Sequence, residues 1–290
     1  MNGQVTATIG GQPIAGATVE MSGSSGVSTD GEGRFTLTAT SAPTRSFAVK
    51  VSAAGYRTRE TSIAYPRSGN PVIDLTSAGA PFREDFYNEL ARDAFERPEQ
   101  RTQLWRWSTA PRVYLKTTDE TGRAVPPEVI SLTVNSLMEG VQLFSAGAFS
   151  TTVEQGPDAR AQQPGWVNVE FRQTIPQGDY CGIAGSVGGN PNAIQLRLER
   201  CGCGSVKVPG SVVYHEIGHV LGFFHVGDRN SVMYPFDSGE CRQGSLSALE
   251  HAHVRVAYAR PRGNLDPDRD PPSFSLFMPP ATAGARGPIP

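Results

Sequence analysis

The sequence predicts an α+β chain in which a small all-β sandwich precedes a larger region of mixed sheet and helix. Three observations lead there. Residues 1–76 hold short runs of alternating apolar and polar residues, separated by Gly, Pro and Asp clusters. Residues 126–144 place Ile130, Val134, Leu137, Val141 and Phe144 on a single helical stripe. Beyond it, strand-like alternation at 167–171 and 194–198 is followed by two more helical stretches. Composition agrees: 32 Gly and 23 Pro in 290 residues, with 38% hydrophobic residues, favour short strands and many turns over a helical bundle. A net charge of −2 gives no electrostatic case for nucleic acid or acidic lipid. No apolar run approaches the roughly 18 residues of a transmembrane span.

The sandwich is expected over residues 1–76, with strands near 5–9, 17–21, 34–39, 47–51, 58–64 and 72–75. Turn clusters such as Gly10-Gly11-Gln12-Pro13 and Asp30-Gly31-Glu32-Gly33 separate them. The order Pro13-Ile14-Ala15-Gly16-Ala17-Thr18-Val19, then Thr29-Asp30-Gly31-Glu32-Gly33-Arg34-Phe35, resembles the carboxypeptidase regulatory-like domain, a transthyretin-type sandwich. That resemblance implies an accessory module without chemistry of its own, holding a surface or a protein partner. Asp30 and Glu32 can be read as calcium ligands or as a polar hairpin turn, and the turn is favoured.

Residues 77–104 form the connection. Phe82, Phe86, Leu90 and Ala94 fall four apart, which predicts a linker helix ending before Pro98 and docking on the domain that follows, with an inhibitory pro-segment as the rival reading. No residue of it is an obvious group to cap a metal. Trp105 opens a second domain over 105–260. Its first strand is expected at 113–116, and Pro126-Pro127 introduce the helix of the long stripe. Leu246 to Glu250 starts a final helix, with Ser247 and Glu250 at capping-box spacing. His251 and His253, two apart, point to different sides of it and are not expected to share a metal. Residues 261–290, rich in Pro, Gly, Asp and Arg, are expected as an extended strap or a disordered tail.

The chemistry concentrates in His215-Glu216-Ile217-Gly218-His219-Val220-Leu221-Gly222-Phe223-Phe224-His225, which holds three of the five histidines. On a helix, residues four apart share a face, so His215 and His219 can offer imidazole nitrogens to one ion. Gly222 accepts φ > 0 and lets the chain turn, bringing His225 back as a third ligand. Three protein ligands leave a position for water, which is the catalytic zinc arrangement. Such a metal lowers the pKa of water to roughly 7 and polarises a carbonyl. Glu216, beside the first ligand, can take the water's proton and pass it to a leaving amine.

The string, with Met233 eight residues beyond it in Ser231-Val232-Met233-Tyr234-Pro235, is similar to the metzincin zinc peptidases. The Met-Tyr-Pro run looks most like their matrixin branch. The resemblance spans roughly 105–260, and its specific part is 211–236. It implies a twisted mixed sheet with helices around a cleft, one catalytic zinc, cleavage inside a polypeptide substrate, and Met233 as an apolar floor under the histidines. It also implies that the strand carrying Ile194, Gln195 and Leu196 edges the cleft, where an extended peptide could pair with it. Structural calcium is implied by resemblance only. A monomer is expected. Pro235 stands where some metzincins carry a tyrosine ligand, so none is expected here; Tyr234 either packs beside the site or has a polar role in it. All four cysteines lie at or after position 181, so no upstream cysteine can cap the zinc.

Cys181, Cys201, Cys203 and Cys241 are even in number and confined to this region. Two disulfides are expected, one of Cys201 and Cys203 pairing with Cys181 and the other with Cys241. A second zinc site and four free thiols are the rival readings. No leader is visible at the start, so either the chain is cytosolic or a leader has been removed. The cysteines favour the second view and an extracellular, periplasmic or cell-surface location. Two other functions compete with a secreted or surface zinc endopeptidase. One is a binding module on a retained zinc scaffold, against which stands the presence of Glu216. The other is a zinc hydrolase acting on a non-peptide amide.

Overall fold

The structure is a computed structural model, and it describes residues 1–22, 25–38, 46–64, 69–176, 178, 180–187, 190–198, 207–236, 245–274 and 276. The chain divides into two compact units. One is Met1–Phe82 together with the described residues from Ala259 on; the other is Arg83–Tyr258.

The first unit is an all-β sandwich. Its strands are β1 (Asn2–Ala7), β2 (Thr18–Met21), β3 (Val27–Ser28), β4 (Arg34–Thr36), β5 (Ser46–Ser52), β6 (Arg59–Ala64) and β7 (Val72–Leu75). They form a three-stranded sheet ordered β4-β1-β7 and a four-stranded sheet ordered β3-β2-β5-β6. Alternation decides which face goes inward: Val5 and Ala7 of β1, Val19 and Met21 of β2, and Val49 and Val51 of β5 all enter one core. Burial of each valine or methionine side chain among them stabilises by about 1.5–3 kcal/mol. The Asp30 segment is a polar turn, but it joins β3 and β4 of different sheets and so is not the hairpin favoured from the sequence. The Asp30 carboxylate accepts from the backbone N–H of Glu32 at 3.0 Å and of Arg34 at 2.7 Å.

The C-terminal strap belongs to this sandwich. Glu60 N–H donates to Asp268 O at 2.7 Å, Asp270 N–H to Glu60 O at 3.0 Å, and Leu276 N–H to Ser62 O at 2.8 Å. The strap thus runs parallel along the outer edge of β6. Polar side chains anchor it. Arg59 bonds both Asp74 and Asp270, and Arg260 bonds Asp74 at 2.6 Å and Thr76 at 2.8 Å. Arg59 and Arg260 are almost wholly buried, and the paired carboxylates make that tolerable.

The second unit holds α1 (Glu84–Arg92), β8 (Arg112–Lys116), α2 (Pro127–Phe144), β9 (Val153–Gly156), β10 (Trp166–Arg172), β11 (Gly182–Val187), β12 (Asn190–Arg197), α3 (Gly210–Val220) and α4 (Ala248–Tyr258). One five-stranded sheet is ordered β11-β12-β10-β8-β9. All its pairs are parallel except β11 with β12. The α+β class and the order of sandwich, then mixed sheet and helix, stand as expected.

Three details differ from the sequence reading. The strand with Ile194, Gln195 and Leu196 is not an edge: β12 lies between β10 and β11, hydrogen-bonded on both sides. The edge on that side is β11. Alternation in β12 shows which side chains are apolar but cannot show that both backbone edges are taken, and β11 carries two glycines and no clear alternation. The helix α1 is shorter than its stripe: Asp93 adopts the left-handed conformation at φ 61°, and Ala94 N–H closes back on Asn88 O at 3.0 Å. Residues 83–104 belong to the second unit. In α2, finally, Ile130 and Val134 are only partly covered, while the small residues Thr133, Ser136 and Gly140 are buried.

Candidate metal centre

The helix α3 begins after Pro209, an extended residue that leaves the first helical N–H groups without a side-chain cap. Val213, Ile217 and Val220 bury one face of it. His215 and His219 project from another face, one turn apart. After Val220 the chain must leave the helix, and it does so at Gly222, with φ at 102°. A Cβ there would lie 2.3 Å from the Trp105 carbonyl oxygen, so both dihedral and space demand glycine. The turn returns His225 to the other two histidines. Trp107 fixes the helix end, its indole N–H donating to Val220 O at 2.9 Å.

The three Nε2 atoms lie 3.1 to 3.2 Å from one another. They are not hydrogen-bonded among themselves, because each ring's proton is committed on the other nitrogen. His215 Nδ1 donates to Val232 O at 2.8 Å, His219 Nδ1 to Phe223 O at 2.9 Å, and His225 Nδ1 to the Glu96 carboxylate at 2.5 Å. A carbonyl or carboxylate oxygen can only accept, so every Nε2 presents a lone pair to the common centre. Three converging lone pairs repel one another unless a cation sits among them. Ligands about 2.0–2.1 Å from a tetrahedral zinc stand roughly 3.3–3.4 Å apart, close to the spacing here. Burial holds His215 down at about 4, and burial followed by its two neighbours holds His219 well below 6.5. Both are therefore neutral, as ligands must be.

Glu216 is buried, and burial pushes its carboxyl up to about 8. Its Oε2 has no hydrogen-bond partner among the described residues. A cation in the triad acts the other way and favours the carboxylate. The edge strand β11 lies directly against this side chain: a Cβ on Gly182 would meet Glu216 Oε1 at 2.6 Å. Beneath the ligands, the Met233 sulfur packs where Gly218 carries no side chain, between His215 and His219 in sequence. Met233 is fully buried. Its turn is pinned by Glu250 of α4, which accepts from Ser231 Oγ at 2.6 Å and Val232 N–H at 3.0 Å. The same carboxylate closes the expected capping box, accepting from Ser247 N–H at 2.7 Å while Ser247 Oγ accepts from Glu250 N–H at 3.1 Å.

Two family matches bear on this geometry. Residues 207–258 match the matrixin family. The stretch covers all three histidines, Glu216, the Met233 turn and Glu250, and the chain is similar there to that zinc metallopeptidase family. Residues 1–77 match the carboxypeptidase regulatory-like domain. Both resemblances read from the sequence are thereby found independently. No curated protein matches the chain.

Among the described residues, His215, His219 and His225 are the group of three or more His, Cys, Asp or Glu side chains able to hold a metal. His251 is exposed. His253 is buried elsewhere, its Nε2 accepting from Arg83 N–H at 2.9 Å and its Nδ1 donating to Leu249 O at 2.7 Å. Tyr234 makes an edge-on ring contact with Phe236. Cys201, Cys203 and Cys241 lie outside the described residues. No helix among the described residues is long and apolar enough to cross a membrane. Sequence reasoning missed Glu96, Gly182 and the second duty of Glu250, since none carries a local signal for contact with a site so distant in the chain.

Proposed function

We propose that the chain is a secreted or surface-attached zinc endopeptidase, with His215, His219 and His225 as ligands and Glu216 as general base. The observation that carries this reading is the set of three bare Nε2 atoms beside a buried carboxylate with an unpartnered oxygen. Zinc in that set would supply Lewis-acid polarisation of the scissile carbonyl and acidification of the attacking water. Glu216 receives the proton of that water and delivers it to the leaving amine nitrogen. Its burial keeps competing water away and strengthens its hydrogen bonds. Met233 fills the floor and holds the ligand helix against the turn.

The strand that aligns the substrate is β11 instead of the one first expected. Among the described residues no strand pairs with its outer edge, which an extended peptide would take, and Gly182 brings β11 against Glu216. A scissile bond held there lies within reach of the base. The four cysteines are proposed to form two disulfides, Cys181 with one of Cys201 and Cys203, and Cys241 with the other. Such disulfides would suit an oxidising compartment. The sandwich is proposed as an accessory module for a surface or protein partner, and the chain as a monomer.

The test is digestion of an unfolded protein by the native chain, by the chelated chain, and by the chain restored with one equivalent of zinc. Cleavage lost on chelation and recovered with zinc is expected. A zinc-loaded chain that cleaves no polypeptide would contradict the reading and favour a binding module.

A further inference from the structure

Two of the three histidines are held by one helix. The third is not. His225 sits on the loop beyond Gly222, so its aim depends on what packs against that loop. Residues 89–96 supply this packing. Phe224 N–H donates to Leu90 O at 2.8 Å, and Gly227 N–H donates to the Glu89 carboxylate at 2.9 Å. These bonds bracket His225 on both sides. The ring itself donates from Nδ1 to Glu96 at 2.5 Å.

The geometry points to Glu96 as a positioning residue for the third zinc ligand, with α1 and its following turn serving as the clamp on the ligand loop. The turn that presents Glu96 is built rigidly. Asp93 ends α1 in the left-handed conformation, and Arg97 N–H closes on Asp93 O at 2.8 Å. Arg92 then ties the outgoing chain down: its Nε donates to Thr102 O at 2.6 Å, and Thr102 N–H donates to Arg92 O at 3.0 Å. Glu96 is therefore delivered on a loop closed at both ends. Its carboxylate fixes the His225 tautomer and raises the electron density at Nε2, as carboxylates behind zinc-bound histidines do. His215 and His219 have only carbonyl oxygens in that place, so His225 is the ligand with a charged partner. That partner comes from outside the stretch that matches the matrixin family.

This inference rests on the zinc reading above, and the experiment separates the two. Zinc dissociation constants are measured by chelator competition for the full-length native chain and for Glu96→Ala, Glu96→Gln and Glu99→Gln, with the absorption bands of the cobalt(II) forms recorded alongside. The Glu96 side chain is 51% exposed, which places the effect at the low end of the range for such partners. Glu96→Ala is expected to weaken zinc binding about tenfold and to change the cobalt bands. Glu96→Gln, which keeps an acceptor oxygen, should fall between it and the native chain. Glu99→Gln should match the native chain. Native zinc affinity and unchanged cobalt bands in Glu96→Ala would overturn the role of Glu96 and leave the site standing. A native chain that binds no zinc would overturn both.

Discussion

At the residue scale the site is made by what glycines permit as much as by what histidines donate. Gly182 leaves the room that Glu216 occupies, with Oε1, Cγ and Cδ all within 3 Å of where a Cβ would be. Gly182→Ala should therefore shift the carboxylate while leaving the three Nε2 atoms in place. The expected result is a kcat lowered about 10- to 100-fold with zinc content unchanged, since misplacing a catalytic group by an ångström costs that order. Steady-state kinetics with metal analysis checks it, and an unaltered kcat would sink the assignment of Glu216 to that position. The histidines and Glu216 were legible in the sequence because their spacing on a helix is itself the chemical requirement. Gly182 and Glu96 were not, because their roles arise only where distant segments meet.

At the element scale the Met233 turn and α4 act as one piece. Glu250 accepts from Ser231, Val232 and Ser247, and Val232 O in turn holds His215 Nδ1. Glu250→Gln puts an amide NH2 where an oxygen now faces donors, leaving one buried donor without a partner. A loss of about 1–3 kcal/mol in the stability of this unit is expected, read from urea unfolding of the zinc-free chain. A change below about 0.5 kcal/mol would show that the carboxylate anchors nothing. The capping box was legible because Ser247 and Glu250 are three residues apart. Its link to the turn was not, since nothing local marks which carboxylate oxygen faces across the fold. The strands divide the same way. β10 and β12 announced themselves by apolar alternation. β9, with Glu154 and Gln155 exposed, and the glycine-bearing β11 carried no pattern, so the sheet's true edge was hidden.

At the scale of the whole molecule the chain's order in sequence is not its order in space. The strap from Ala259 on completes the sandwich begun by β1, through the buried cluster of Arg59, Asp74, Arg260 and Asp270. The sequence leaves the polar, Pro-rich tail as either a strap or a disordered end, because its partners are about 185 to 210 residues away and are charged instead of apolar. The cluster makes a pH prediction. Burial alone would raise the Asp74 carboxyl, but Arg260 and Arg59, with hydrogen bonds from Arg260 and Thr8, bring it from 3.8 to about 2. A depressed carboxyl contributes stability that is present above its unfolded pKa and lost as pH falls through the folded one. About 2 kcal/mol should therefore disappear between pH 4 and pH 2. In urea melts followed by circular dichroism, the advantage of the native chain over Asp74→Asn should shrink across that interval. A difference that stays constant from pH 5 to pH 2 would contradict the assignment.

The central claim is that this chain uses His215, His219 and His225 to hold a zinc ion and Glu216 to move the proton. The most direct test is the rate of peptide-bond cleavage by Glu216→Ala, compared with the native chain at a measured zinc content. The account predicts one zinc per chain in both and a rate at least about 100-fold lower in the variant. Cleavage at the native rate by a zinc-loaded Glu216→Ala chain would contradict it.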